Sequence, residues 1–289
     1  MKKIALINLI LILIGCYGCS SVPVTGRRQL NLVSDQEVLS LSLQEYNDYI
    51  KTAKKSTDKT ATALVTNVGS KIAKAVEAYF EYMGMESLLS GYAWEFTLVD
   101  DPQVNAFCMP GGKIVVYTGI LPMTQDETGL AVVIGHEVAH AVAKHANERM
   151  SQQMLAQYGA AGLDAVLSKS SGALKTIGQT VYGLGAQYGV MLPYSRKQEL
   201  EADHLGLIFM GIAGYNPQAA IPFWERMSQQ GSAAPEFMST HPSDKTRIDG
   251  IRQKLPEAME YYNSIWGSKN TTTTPAKNTT TNTSNQWRF

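Results

Sequence analysis

The stretch Gly129-Leu-Ala-Val-Val-Ile-Gly-His136-Glu137-Val-Ala-His140-Ala-Val-Ala-Lys-His145 decides how the rest of the chain is read. Its apolar residues are dense and free of Pro, so it is a helix, opened by Asp126-Glu127 at its electropositive end and buried through Leu130, Ile134 and Val138. Histidines four apart on a helix are turned by about 400° and raised by about 6 Å, so His136 and His140 leave the same face and can share one metal ion. Zinc accepts imidazole readily and lowers the pKa of a bound water to about 7, which lets a neighbouring carboxylate, here Glu137, act as a general base. Counted along the same helix, His145 is turned about 900° from His136, which puts it on the opposite face and in solvent.

A catalytic zinc of this kind takes a third protein ligand, and Tyr194-Ser-Arg-Lys-Gln-Glu199-Leu-Glu201-Ala-Asp203 supplies two glutamates. They lie about 200° apart on a helix, so only one can face the metal. Glu199 and Asp203 share a face. That pairing lets Glu199 bind while Asp203 accepts a hydrogen bond from a ligand imidazole, leaving Glu201 solvated and His204 badly placed.

The surrounding chain reads as one domain over 34–266. Ser34 and Glu37 form a capping box for a helix to about Lys55, with Leu39, Leu43, Tyr46 and Ile50 as its apolar stripe. A second helix runs from about Thr60 to Tyr82 on Leu64, Val68, Ile72, Val76 and Phe80. Strands follow at Trp94–Val99, Val104–Cys108 and Lys113–Tyr117, the last two joined by Pro110-Gly111-Gly112. One of these strands can lie beside the metal helix and hold an extended peptide, or the meander can simply pack beneath it. Cys108 is a small buried apolar residue in this reading. Residues 150–192, rich in Gly, Ala and Ser, form helices, part of which is expected to cover the cleft as a lid. Helices starting at Asn216-Pro217 and Ser243 complete the domain, and the Thr/Asn-rich residues 267–289 form a disordered tail.

Basic and acidic residues balance at 25 each, which gives no footprint for nucleic acid. Lys2 and Lys3 precede an apolar run, Ile4 to Ile14, of signal-peptide rather than membrane-span length. Residues 1–15 are thus expected to be a signal ending in a lipoprotein box, with Cys16 lipidated and Cys19 the alternative. Residues 16–33 would then be a polar tether. A plain secretory signal with a structural cysteine pair is the other reading.

His136-Glu-Val-Ala-His140, Ser195-Arg-x-x-Glu199-x-x-Ala-Asp203, Asn105-Ala106-Phe107-x-x-Pro-Gly-Gly112 and Ser239-Thr-His241-Pro242 occur in an order that resembles the CAAX prenyl protease and HtpX-like zinc metallopeptidases. The set looks most like their soluble, envelope-located lipoprotein branch, which includes BepA and LoiP, over residues 22–266. The resemblance implies an α+β zincin-like (gluzincin) domain, mostly helical, with a small mixed sheet whose edge strand borders the active-site helix. It assigns one zinc ion to His136, His140 and Glu199, catalysis to Glu137, and the substrate edge strand to Asn105, Ala106 and Phe107. It also implies that His241 approaches the metal as a latch or a transition-state donor, although a turn histidine capping the next helix fits the pattern too. Unfolded or misassembled envelope proteins are then the implied substrates. The location would be the bacterial envelope, lipid-anchored and facing the periplasm, with outer-membrane assembly machinery as a possible partner. A zinc-stabilised chaperone whose proteolysis is latched off is the alternative function.

Overall fold

In a computed structural model of the chain, residues 19–169, 171–182, 195–229, 237, 241 and 245–267 are described. The expected signal with Cys16, most of the Thr/Asn-rich stretch 267–289, and Ser239, Thr240 and Pro242 lie outside these residues.

A three-stranded mixed sheet has the order β3–β5–β4, with β3 (Glu95–Val99) parallel to β5 (Lys113–Tyr117) and β4 (Ala106–Met109) antiparallel to it on the edge. Gly111 and Gly112, both at positive φ, make the β4–β5 turn that only residues without a Cβ adopt at ease. The edge strand β4 packs on helix α3 (Glu127–Val142), whose residues from Gly129 onward are all buried. Burial on every side marks α3 as the central helix of the core. Around it lie α2 (Lys59–Tyr82), α6 (Arg196–Ile212) and α7 (Ala220–Ser228), with α8 (Lys245–Trp266) packed on α6 and α7, and Val68, Ile72, Leu130, Ile134, Leu205 and Phe209 are fully or almost fully buried in the shared core. This is the mostly helical, zincin-like architecture that the sequence predicts. Among the described residues, no helix is long and apolar enough to cross a membrane.

Helix α3 crosses α6 where Gly135 meets Gly206. A Cβ on Gly206 would lie 3.0 Å from the carbonyl carbon of Gly135 and the amide nitrogen of His136, so the absence of side chains sets how closely the two ligand-bearing helices approach. Gly206→Val is expected to push them apart and cost about 1–3 kcal/mol, read as a lower midpoint of thermal unfolding. A variant as stable as the unaltered chain would show that the crossing tolerates side chains.

Two local expectations need correction. Helix α1 (Asp35–Thr52) has its capping box, but its buried face is Val38, Ser42, Glu45 and Tyr46, while Leu43 is 48% exposed. Polar anchors shift the face: Ser42 Oγ donates to the Pro110 carbonyl at 2.7 Å, and the Tyr46 hydroxyl bonds Thr97 at 2.9 Å. The stretch read as a tether is an ordered hairpin from residue 19 onward. In it β1 (Cys19–Ser21) pairs with β2 (Arg28–Leu30), and Val22 and Val33 are buried. Its turn is made by Val24 and Gly26, both at positive φ. Of the region expected to hold a lid, residues 183–192 lie outside the described residues; before them α4 (His145–Lys169) leads to α5 (Ser171–Tyr182), which buries Leu174, Ile177 and Val181 in a second core with Tyr46 and Phe107.

Candidate metal centre

Helix α3 begins at Asp126, whose side chain accepts from the Gly129 amide at 2.8 Å, and α6 begins at Ser195, in a capping box with Gln198. These caps and the glycine crossing fix the phase at which each helix presents its polar residues. His136, His140, Glu199 and His241 each offer one ligand atom, all within 4.8 Å of one another, and all four residues are buried. His136 Nε2 is 3.0 Å from His140 Nε2 and 3.2 Å from His241 Nδ1. Glu199 Oε1 lies 3.3 Å from His140 Nε2 and 3.0 Å from His241 Nδ1.

The hydrogen-bond partners determine which nitrogens face inward as lone pairs. Asp203 Oδ1 is 2.9 Å from His136 Nδ1 and can only accept, which leaves the proton on Nδ1 and a lone pair on Nε2. His140 Nδ1 is engaged from the opposite side, 2.8 Å from His145 Nδ1. His136 Nε2 is therefore an inward lone pair, set against His140 Nε2 and the Glu199 carboxylate. Glu137 Oε1 is buried without a hydrogen-bond partner in the same place. Acceptors crowded so closely fit a cation, and nitrogens with one carboxylate are the donor set zinc prefers.

Glu137 follows His136 on α3, 3.5 Å from His241 Nε2, and accepts from the Cys108 amide of β4. Burial pushes its carboxyl up to about 7, against the opposing charge of His241 and with help from that of Glu199. Burial also works against ionised Glu199, yet His241, Arg247 and the two other imidazoles hold it well below the ordinary carboxylate range. His140 is pushed well below the usual histidine value, first by burial and then by His136. Cys108 is buried, and burial pushes its thiol well up, which removes it as a nucleophile.

Two residues expected in solvent lie in this network. His145 is fully buried because α3 stops at Val142 and Lys144 turns at φ 58, so the helical count that sent it to the far face does not apply. Glu201 is buried as well, bonded by His145 at 2.9 Å and by Arg27 at 2.8 Å from the hairpin read as a tether. His204 stays outside the cluster, 2.8 Å from Glu257.

Arg247 is the residue that sequence reasoning missed. It stands on the buried face of α8, four residues before Ile251, so a charge in phase with an apolar stripe was the available signal. Its guanidinium bonds Asp203 at 2.6 and 2.8 Å and comes within 2.8 Å of Glu199 Oε2. It also stacks 3.5 Å from the centre of the Trp224 ring. Phe237 donates its amide to the Val104 carbonyl and stacks on His241, which closes the site from that side.

Comparisons with known proteins point to a metal-dependent peptidase. The sequence model of Peptidase family M48 matches residues 70–255. The chain is 35% identical to mitochondrial metalloendopeptidase OMA1 of Schizosaccharomyces pombe, a match that covers 85% of this chain and 71% of that one. To OMA1 of Saccharomyces cerevisiae it is 33% identical, over 83% and 70%. The β-barrel assembly-enhancing protease of Yersinia pestis is 30% identical, over 56% of this chain and 34% of its own. These relatives overturn the expected bacterial-envelope location, because the proteins that match over most of the chain are named as mitochondrial. A basic pair followed by a short apolar run does not by itself say which membrane would read it.

Proposed function

The chain belongs to peptidase family M48 and is a zinc metalloendopeptidase, and from that premise we propose that His136, His140 and Glu199 hold the ion and that Glu137 moves the proton. The observation that carries this reading is the convergence of buried acceptors from α3 and α6 beside an unpartnered Glu137 oxygen. Zinc, when bound there, supplies Lewis-acid polarisation of a carbonyl and lowers the pKa of water. Glu137 takes the proton of the attacking water and delivers it to the leaving amine. Burial favours this exchange, since it disfavours the ionised carboxylate and so strengthens its pull on the water proton. Asp203 holds the His136 ring in the tautomer that presents Nε2.

Residues 105–107 lead into and begin the edge strand, so an extended substrate adds to the sheet along β4. Backbone pairing selects chains that are already unfolded over folded ones, which supports a role in protein quality control on unfolded or misassembled proteins. Incubating the purified protein with an unfolded polypeptide, with and without chelator, tests this. Cleavage that stops on chelation is expected.

A second reading comes from His241. Its Nδ1 completes a four-donor set, and a closed tetrahedral site is how zinc is held when it serves structure. In this reading the domain is a zinc-stabilised chaperone, with His241 as the latch that holds proteolysis off. His241→Ala is expected to raise kcat/KM by the inverse of the unlatched fraction, roughly tenfold if one molecule in ten is open. A fall instead would assign His241 to the transition state, and equal rates across pH would remove it from the site. Aggregation suppression by a wild type that cleaves nothing would favour the chaperone.

A further inference from the structure

Beyond the ligands, a chain of donors and acceptors runs from His140 to the N-terminal hairpin. Glu201 sits at its centre as a carboxylate that can only accept. It takes a hydrogen bond from Arg27 Nε at 2.8 Å and another from the Thr25 hydroxyl, both in the β1–β2 turn. The contact of 2.9 Å between Glu201 Oε2 and His145 Nε2 therefore requires the His145 proton to be on Nε2. The neutral ring then offers a lone pair at Nδ1, 2.8 Å from His140 Nδ1, so His140 donates there and its own Nε2 is left bare toward Glu199 and His136. The guanidinium of Arg27 is itself fixed by a two-pronged bond to Glu148, at 2.9 and 2.7 Å, and Glu148 is tied to Gln198 at the start of α6.

We propose that His145 is the positioning residue of the second zinc histidine, and that Thr25 and Arg27 complete it through Glu201, so that the N-terminal hairpin is a working part of the metal centre. The inference rests on the assignment of His136, His140 and Glu199 as zinc ligands. It gives the two histidines different supports. Asp203 orients His136 directly, whereas His140 is oriented by an imidazole that relays the demand of a carboxylate one residue further out.

The test measures zinc affinity of the full chain by competition with a chromophoric chelator, together with the visible spectrum of the Co2+-substituted protein. His145→Leu is expected to weaken zinc about 10- to 100-fold and to change the Co2+ spectrum, as removal of such outer partners does. His145→Gln is expected to recover most of the affinity, because its amide can accept from one side and donate to the other. Arg27→Gln is expected to weaken zinc by less than His145→Leu. A folded His145→Leu protein that binds zinc as tightly as the unaltered chain overturns the proposal, as does His145→Gln no better than Leu. If His145→Leu fails to fold, Arg27→Gln decides: weakened zinc supports the relay and unchanged zinc overturns it. His140→Ala separates the premise from the proposal, since undiminished zinc binding there would sink the ligand assignment itself.

Discussion

Replacing Glu137 by Gln is expected to lower peptide hydrolysis by about a hundred- to ten-thousand-fold while zinc remains bound, the range typical of a lost general base. The amide keeps the shape and the acceptor that meets the Cys108 amide, but it cannot take a proton from water. Zinc retention, measured by metal analysis of the purified variant, separates loss of the base from loss of a ligand. The same substitution carries a second expectation, for stability. The Glu137 carboxyl is pushed up to about 7, chiefly by burial, so the folded state favours its neutral form. A carboxyl raised in the folded state gives no penalty below its unfolded value and a full penalty above its folded one. The zinc-free Gln variant should therefore unfold at a higher temperature than the zinc-free native chain at pH 8, and the gap should close towards pH 4. Full peptidase activity in Glu137→Gln would remove this residue from the mechanism.

How much of the site could be read from the sequence depends on whether a residue's partners lie on its own helix. His136, Glu137 and His140 share one uninterrupted run, and Glu199 and Asp203 share another, so helical phase alone states which of them face one way. The capping boxes at Ser34 and Ser195 and the glycines at the β4–β5 turn are equally local. His145 was misplaced for a reason of the same kind. A phase count assumes a continuous helix, and a single left-handed residue, Lys144, voids it. Glu201 was misread because its partners, Thr25 and Arg27, come from more than 170 residues away, in a stretch whose composition resembles a tether. Chain topology, which no local pattern contains, brings these groups together.

Arg247 is the strongest case of such non-local design, and its removal is expected to have the largest effect on stability. Burial opposes its charge, but Asp203 and Glu199 keep the guanidinium more firmly protonated than usual. Arg247→Met would leave two buried carboxylates without their shared cation, a loss worth about 3–5 kcal/mol. For a domain of this size that corresponds to a fall in the unfolding midpoint of roughly 6–20 °C. Arg247→Lys should recover only part of it, since an ammonium cannot place donors on Asp203 in the same fork while lying flat on Trp224. The effect should also depend on zinc. Without the ion, Arg247 is the cation that meets Glu199; with it, the ligand carboxylate has a second positive partner. The midpoint difference between Arg247→Met and the native chain is thus expected to be larger after chelation than with zinc present. Equal differences in both conditions would mean that Arg247 serves the packing of α8 on Trp224 and not the charge balance of the metal centre.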